Sequence, residues 1–588
     1  MKDLINNERL KTESASMAKI KRCSLGVTAL VLATSLAACG GGGSSGGGGE
    51  ADEDSSSGFS VTAVTPADGE SGVEPDAALT ASFNKDLLAS SIDSIELTKN
   101  NGVWPANVPV STRIDTASSV NIQPDEPLDI LSEYTVTMTS DFSDSSGSPL
   151  SEAFPWSFVT RDGDWEQAGL IDRGSAIAKG PGIAIDSAGN GWAVWLKEDL
   201  TTGYFDVIGR YYNAESGDWE SQTLPLNSDD SSSASEARIA VDLEGNAIVA
   251  WIQDDAVYAR YWDTGSAADE SSWSVVEKIS GSNPVHSHEY LSVEFHNRNG
   301  ARAVWIEEDS AAPVLASNEY SAVDALWYGP QAGPELNPSF SSGVQRSVDF
   351  AAGQNDAIFL SLAEEPTLPE AKNRVYASRY DGDTRTWVSG ITALEPGNVT
   401  GKASDPRIVF DKKGNAFAAW WRFSDGVFGQ VYVSRYDADS GAWSRSTRIM
   451  GGREQDGGRF PSVAVDQEGN AIVSFEFGEP YAAHYDAGGD VWSDAQKIGD
   501  YAGAAQGNVA MDLDGNATVV WHKDEGAASN IFSNRYAAVT DSWGSEQRVE
   551  TGGGGNAGVP LIDAYWTLSA ITVWEDDGRI YANRFSPD

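Results

Sequence analysis

The chain has 588 residues, with 40 Lys and Arg against 87 Asp and Glu, a formal net charge of −47 and two cysteines. A balance this acidic excludes nucleic acid and anionic lipid headgroups as primary ligands, because affinity for phosphate comes from cationic contacts. Two cysteines exclude a disulfide framework, and the length calls for more than one domain.

The first element in chain order is a targeting segment. Met17-Ala-Lys-Ile-Lys-Arg forms a basic start, and Ser24–Leu36 is an apolar run too short to cross a membrane as a mature helix. Residues 1–16 lack signal character, which makes Met17 the alternative start. The run ends in Leu36-Ala37-Ala38-Cys39, which resembles the bacterial lipobox. The resemblance implies cleavage before Cys39, acylation of its thiol and anchoring to a membrane, and several acyl chains hold where one is marginal. Gly40 rather than Asp follows Cys39, which by resemblance to Gram-negative lipoproteins implies an outer-membrane destination in the cell envelope. Cys23 leaves with the signal, so no thiol chemistry is expected. Residues 1–38 carry a net +3, so the mature chain is at −50. Residues 39–58, rich in Gly, Ser and acids, read as a flexible tether.

Residues 59–161 show about seven short apolar alternations between turn residues, the outline of a β-sandwich. Val64-Thr-Pro-Ala-Asp-Gly-Glu-Ser-Gly-Val-Glu-Pro, Tyr134-Thr-Val-Thr-Met and Trp156-Ser-Phe-Val-Thr resemble the S-layer (SbsA-type) bacterial Ig-like domain. That resemblance implies a spacer or adhesion module and brings no catalytic residues.

From residue 162 to the C-terminus one pattern recurs. Residues 239–251 read Ile-Ala-Val-Asp-Leu-Glu-Gly-Asn-Ala-Ile-Val-Ala-Trp, and clear copies end at Trp195, Trp420 and Trp521. Weaker copies end at Trp305, Ser361, Phe475 and Trp574. The Asp position falls at Asp186, Asp242, His296, Ala352, Asp411, Asp466, Asp512 and Tyr565, with steps of 56, 54, 56, 59, 55, 46 and 53 residues. Each copy is a hairpin with a Gly-Asn turn, followed by a third strand and a Trp-led fourth. Four strands per repeat without helical periodicity predict a propeller blade. The last repeat stops at Arg584-Phe585 without its fourth strand, and a Trp-led segment at Trp165 precedes the first hairpin. The expected fold is therefore all-β: an N-terminal Ig-like β-sandwich, then an eight-bladed propeller over 162–588, closed by an N-terminal strand that leaves no open edge.

The candidates for chemistry are few. The Asp-x-x-Gly-Asn turn resembles the Asp-box of sialidase-like propellers only loosely, since the Ser is missing, and it reads as a turn device. Neither the arginine cluster nor the Tyr–Glu pair of a sialidase is apparent. Third strands carry Arg210, Arg260, Arg379, Arg435, Arg535 and Arg584, with Glu319 and His484 as exceptions. The repeat with Glu319 also has His296, which suggests that those two pair. A zinc site at His286, His288, Glu289 and His296 and a Ca²⁺ site at Asp512, Asp514 and Asn516 are both weak patterns. No metal or other cofactor is expected with assurance, and Ca²⁺ is the one candidate.

Acidic loops follow every second strand. They contain Glu198 and Asp199; Asp254 and Asp255; Glu307 and Glu308; Glu364 and Glu365; Asp425; Glu476 and Glu479; Asp524 and Glu525; and Asp576 and Asp577. Strand directions put all of them on one face, where a ring of like charge attracts cations or a basic partner. The expected function is a noncatalytic, lipid-anchored binding or adhesion protein of the envelope, with an unidentified protein or glycan ligand and no nucleic acid. The alternative is a glycan-active enzyme, a sialidase-like hydrolase or polysaccharide lyase, with paired carboxylates in the propeller funnel.

Overall fold

The computed structural model describes residues 58–586 apart from 101–105, 228–230, 286–289, 298–299, 309–312, 336–347, 354–355, 365–372, 396–400, 425–426, 450–457, 501–505, 527, 551–554 and 566–568. Cys39, the tether, His286, His288, Glu289, Glu365 and Asp425 lie outside the described residues.

The N-terminal module is a two-sheet sandwich. One sheet orders the strands Val61–Thr65, Leu79–Phe83, Ser119–Pro124 and Val110–Thr116, and the other orders Glu70–Val73, Phe154–Thr160, Glu133–Met138, Ile95–Lys99 and Ala106–Val108. Strict alternation in Leu79–Phe83 and Glu133–Met138 sends one face inward. The core holds Leu79, Val120, Ile122, Tyr134, Val136, Trp156 and Phe158, with Phe59, Phe83 and Phe142 stacked beside them. Nine strands stand where about seven are legible in the sequence, because the extra ones are short. Glu70–Val73 hides in a Gly-rich turn segment and is recruited by parallel pairing with Phe154–Thr160.

Residues 164–586 form eight sheets of one strand order. Numbered as blades in chain order, blade 1 comprises Ala178–Ile185, Gly191–Glu198, Phe205–Asn213 and Asp218–Trp219. The first strands neighbour one another around a closed ring, in which Leu561–Tyr565 of blade 8 lies beside Ala178–Ile185 of blade 1. Blade 8 takes its outer strand from the N-terminal side, as expected: Trp165 stands opposite Phe585, and Leu170 opposite Tyr581. An aromatic pair marks the same point in other blades, with Tyr212–Trp219, Tyr436–Trp443 and Tyr536–Trp543 at 5.3–5.5 Å between ring centroids. Trp165–Phe585 repeats it at 5.4 Å. Second strands are buried along most of their length, and Trp195, Trp251, Trp305, Trp420, Trp521 and Trp574 within them are at most 1% exposed.

The Asp-x-x-Gly-Asn turn is a structural clasp. Asp242 Oδ1 accepts from the amides of Glu244 and Asn246, and its Oδ2 accepts from the Asn246 side chain. Asn246 Oδ1 then accepts from the Thr264 amide in the turn between strands three and four. Asp186, Asp411, Asp466 and Asp512 repeat the arrangement, with Asn190, Asn415, Asn470 and Asn516 reaching Ala214, Ala438, Ala487 and Ala538. The turn needs glycine: Gly189, Gly245, Gly414, Gly469 and Gly515 have φ between +83° and +97°.

The Ig-like module seats on this turn face. Lys99 Nζ lies 2.8 Å from Asp129 of its own module and 2.6 Å from Asp514 in the blade 7 turn. Ile130 packs with Ala570 and Phe585, and Asp162 pairs with Arg535 at 2.9 Å.

Candidate functional site

The loops after the second strands leave each sheet at the end opposite the Asp clasps. Asp254 and Asp255 form a tight turn, both exposed and both at positive φ (50° and 53°). Asp199 accepts from the Thr201 amide, which holds its carboxyl below the usual range. Glu198 is half-buried beside it.

Several of the other acids are engaged in holding the loops. Glu307 is buried and accepts from Trp305 Nε1 (2.9 Å) and from the Asn283 side chain (3.1 Å). Glu476 is 1% exposed and takes both ends of Arg459. Glu479 pairs with Lys497 at 2.7 Å. Glu525 accepts from Asn530, Asp524 from the Ser529 hydroxyl and Asp577 from the Asn556 side chain. Asp576 is buried, its Oδ1 has no hydrogen-bond partner among the described residues, and burial, then the neighbouring Asp577, raises its carboxyl pKa. Glu308 and Glu364 end their strands, and their side chains lie outside the described residues. Among the described residues the expected ring is therefore mixed: some carboxylates are exposed, and others are tied to cations, amides and hydroxyls.

Among the described residues, no group of three or more His, Cys, Asp or Glu is gathered as a metal ion requires. In the proposed Ca²⁺ pattern, Asp514 is engaged with Lys99 and Asp512 with the amides of its own turn. Burial pushes Asp512 up to about 6.

Two sequence expectations about charged side chains change. Glu319 pairs with Arg302 at 2.6 Å, not with His296, because Arg302 stands directly opposite it in the sheet. His296 has no hydrogen-bond partner on either ring nitrogen among the described residues, and burial, then Arg302, lowers it to about 4. The third-strand arginines also split into two columns. Arg379 directly precedes the aromatic Tyr380, whereas Arg210 and Arg260 stand two before Tyr212 and Trp262. Adjacent strand positions face opposite sides of a sheet, so the two columns do different work.

A set of buried polar residues was missed. Asp172, Asn227, Ser280 and Glu395 each follow an apolar residue after a fourth strand, and each accepts a third-strand amide: Ile580, Val207, Val257 and Val375. The recurring pairs Ile171-Asp172, Leu226-Asn227, Ile279-Ser280, Leu394-Glu395 and Val549-Glu550 were the available signal. Asp172 is fully buried and pairs with Arg579, and Glu395 pairs with Arg422.

Around the axis, carboxylates cap open strand edges. Glu294 of blade 3 accepts from Ala352 of blade 4, Asp349 of blade 4 from Ile408 of blade 5, and Asp563 of blade 8 from Ile185 of blade 1. Burial, the largest cause, pushes Glu294 up to about 8 and Asp349 and Asp563 up to about 6, and the Asp349 charge adds to the rise at Glu294. Raised carboxyls favour the protonated fold. The stability from Glu294 is full below its unfolded value near 4.5 and is lost as pH rises through about 8. Glu294→Gln, which keeps the acceptor, should therefore gain about 1–2 kcal/mol over the parent at pH 8.5 and nothing at pH 4.5. Urea unfolding at the two pH values checks this, and an equal effect at both contradicts it.

Comparison with known proteins identifies one module. Residues 55–160 match the bacterial Ig-like domain family (Big_5). No curated protein matches the chain. Among solved structures, the β-propeller domain of the Trilobed protease from Pyrococcus furiosus has 9% identity and a TM-score of 0.37, covering 66% of this chain and 97% of that one. The Hadza microbial sialidase Hz136 has 11% identity and a TM-score of 0.31, covering 87% and 94%. A PL25 ulvan lyase has 11% identity and a TM-score of 0.37, covering 72% and 93%. At this distance the three carry no assignment of activity.

Proposed function

We propose that this protein is a lipid-anchored envelope protein, bound to the outer membrane through acylated Cys39, whose Ig-like module carries a propeller that binds a partner with cationic groups. One observation carries the reading. The Ig-like module contacts the turn face through Lys99 and Asp514, and Asp254 and Asp577 are exposed on the opposite face. A module seated there is a stand, and the acidic loops are what it presents. Low-salt attraction of a basic partner follows from the summed charge and falls with ionic strength.

Polylysine is a suitable probe. Glu198→Gln, Asp254→Asn and Asp577→Asn together should weaken its binding about tenfold at low salt. Glu215→Gln, Glu244→Gln and Asp383→Asn, on the turn face, should leave binding within about twofold. Equal losses from the two triples contradict a specific face. For the anchor, a clickable fatty acid should label the parent and not Cys39→Ser; labelling of both removes it.

One observation favours the second reading, a glycan-active enzyme: Glu294 and Asp349 cap strands of adjacent blades near the axis, and the Asp349 charge helps to raise the Glu294 carboxyl. Reducing ends released from an acidic polysaccharide by the parent and abolished in Glu294→Gln would establish it in place of a noncatalytic role.

A further inference from the structure

Each interface between blades sets two positions against each other. One follows the apolar residue just after a blade's outer strand, and the other stands two beyond the second-strand Trp of the next blade. Glu395 and Arg422 hold them between blades 4 and 5 and form a buried ion pair. Between blades 8 and 1 they are Asp172 and Lys197, with Arg579 also on Asp172. Between blades 1 and 2 they are the uncharged Asn227 and Gln253, and between blades 2 and 3 they are Ser280 and Glu307. Between blades 6 and 7 they are Gly499 and Lys523, and Lys523 pairs with Glu546 at 2.6 Å. In none of these pairs do like charges meet.

The interface between blades 7 and 8 departs from the rule. Its two residues are Glu550 and Asp576, both carboxylates, 4% and 7% exposed. The contact that joins the blades brings them together: Val549, Ile531, Ala557 and Trp574 form one apolar cluster, and Ala557 bridges to Asp576. Glu550 faces the Ile531 amide, as Glu395 faces that of Val375. Burial, then the Asp576 charge, raises the Glu550 carboxyl. Each side chain keeps one buried oxygen, Glu550 Oε2 and Asp576 Oδ1, without a hydrogen-bond partner among the described residues. Asp576 Oδ1 looks onto the main chain at Gly555, where a Cβ would overlap it.

The neighbouring cations are engaged elsewhere. Arg548, which acts on Glu550, donates to Asn530 at 2.7 Å and stands 3.8 Å from Glu525. Arg579 holds Asp172. Asp577 adds a further negative charge, exposed beside the pair. Two buried carboxylates repel strongly in a low dielectric, and a cation between their bare oxygens turns that repulsion into attraction. An all-oxygen donor set selects a hard cation. Two carboxylates leave the rest of the shell to main-chain oxygens and water, an irregular set that Ca²⁺ accepts more readily than Mg²⁺. We propose that Glu550 and Asp576 bind one Ca²⁺ ion that ties blade 8 to blade 7, beside the cluster against which Trp165 of the closing strand packs. The site does not depend on the loop face acting as a partner surface.

Calorimetry of the mature chain, first stripped with chelator, tests this. Ca²⁺ at about 5 mM should raise the melting temperature by about 2–4 °C over NaCl of equal ionic strength, and Mg²⁺ by less than about half as much. Glu550→Gln and Asp576→Asn should each melt higher than the parent in chelator and lose the Ca²⁺ shift, because repulsion and ligand charge go together. Asp576→Arg, which installs the kind of ion pair found between blades 4 and 5, should do the same. Asp254→Asn, an acid of the loop face outside the site, should keep the full shift. Equilibrium dialysis should show about one fewer Ca²⁺ bound to Glu550→Gln than to the parent. A parent that responds to Ca²⁺ no more than to NaCl at equal ionic strength, or a shift retained in a folded Glu550→Gln or Asp576→Asn, overturns the proposal. A parent indifferent to Ca²⁺ that gains stability between about pH 7 and about pH 5, with the gain lost in Glu550→Gln, overturns it in favour of a shared proton. If one of the two conservative variants does not fold, the other decides.

Discussion

Glu395→Ala should cost about 3–5 kcal/mol, because removing one partner of a buried ion pair leaves the other charge uncompensated. Glu395 is 5% exposed and serves three donors: Arg422, Trp420 Nε1 at 2.8 Å and the Val375 amide at 3.2 Å. Arg422 is itself 5% exposed and also donates to the Gly401 carbonyl at 2.9 Å. Glu395→Gln keeps an acceptor and should cost about half as much. The double replacement Glu395→Leu with Arg422→Met removes both charges together, so most of the loss should be recovered. Urea unfolding of the four proteins gives the comparison, and a double variant as unstable as Glu395→Ala would show that packing rather than charge sets the cost.

Trp165→Ala should cost about 3 kcal/mol and add a tendency to associate. Trp165 is the outer aromatic of blade 8, edge-on to Phe585, and its Nε1 donates to Ser533 Oγ of blade 7 at 2.7 Å. It therefore ties the displaced strand both to the last blade and to the neighbour before it. Glu166 O and Ile171 O continue the seam by accepting from Asn583 and Arg210. Loosening the strand exposes the edge of Arg579–Ser586, whose unpaired amides can recruit another chain. Trp219→Ala, the same position inside blade 1, is the control: its loss of stability should come without association. Sedimentation of both variants as a function of concentration separates the two effects, and equal association by both would deny the seam a special role.

The repeat was legible because its spacing and its turn are both local. Asp, Gly and Asn sit within five residues of one another and clasp the same turn, so one copy is enough to recognise the next. The displaced strand was also legible, since a Trp-led segment was missing at one end and present at the other. What escaped was register. Arg210 and Arg379 look alike in a third strand of uneven length, and only pairing with the outer Trp shows that they face opposite sides of the sheet. The buried Asp172 and Glu395 escaped because each acts on a third strand and on a cation distant in sequence. The acidic loops were legible as charge, while their partners were not: Arg459 and Lys497 come from neighbouring connections, so the sequence overstates how much of the ring is free.

The seating of the Ig-like module is the claim on which the presented face depends, and zero-length carbodiimide coupling of the mature chain followed by mass mapping tests it directly. Lys99 should be found joined to Asp514 or Asp129, with coupling to Asp514 lost when the salt concentration is raised enough to weaken the contact. Lys99 joined instead to a loop-face carboxylate such as Asp254 or Asp577 would contradict the account, because the module would then cover the face that it is said to present.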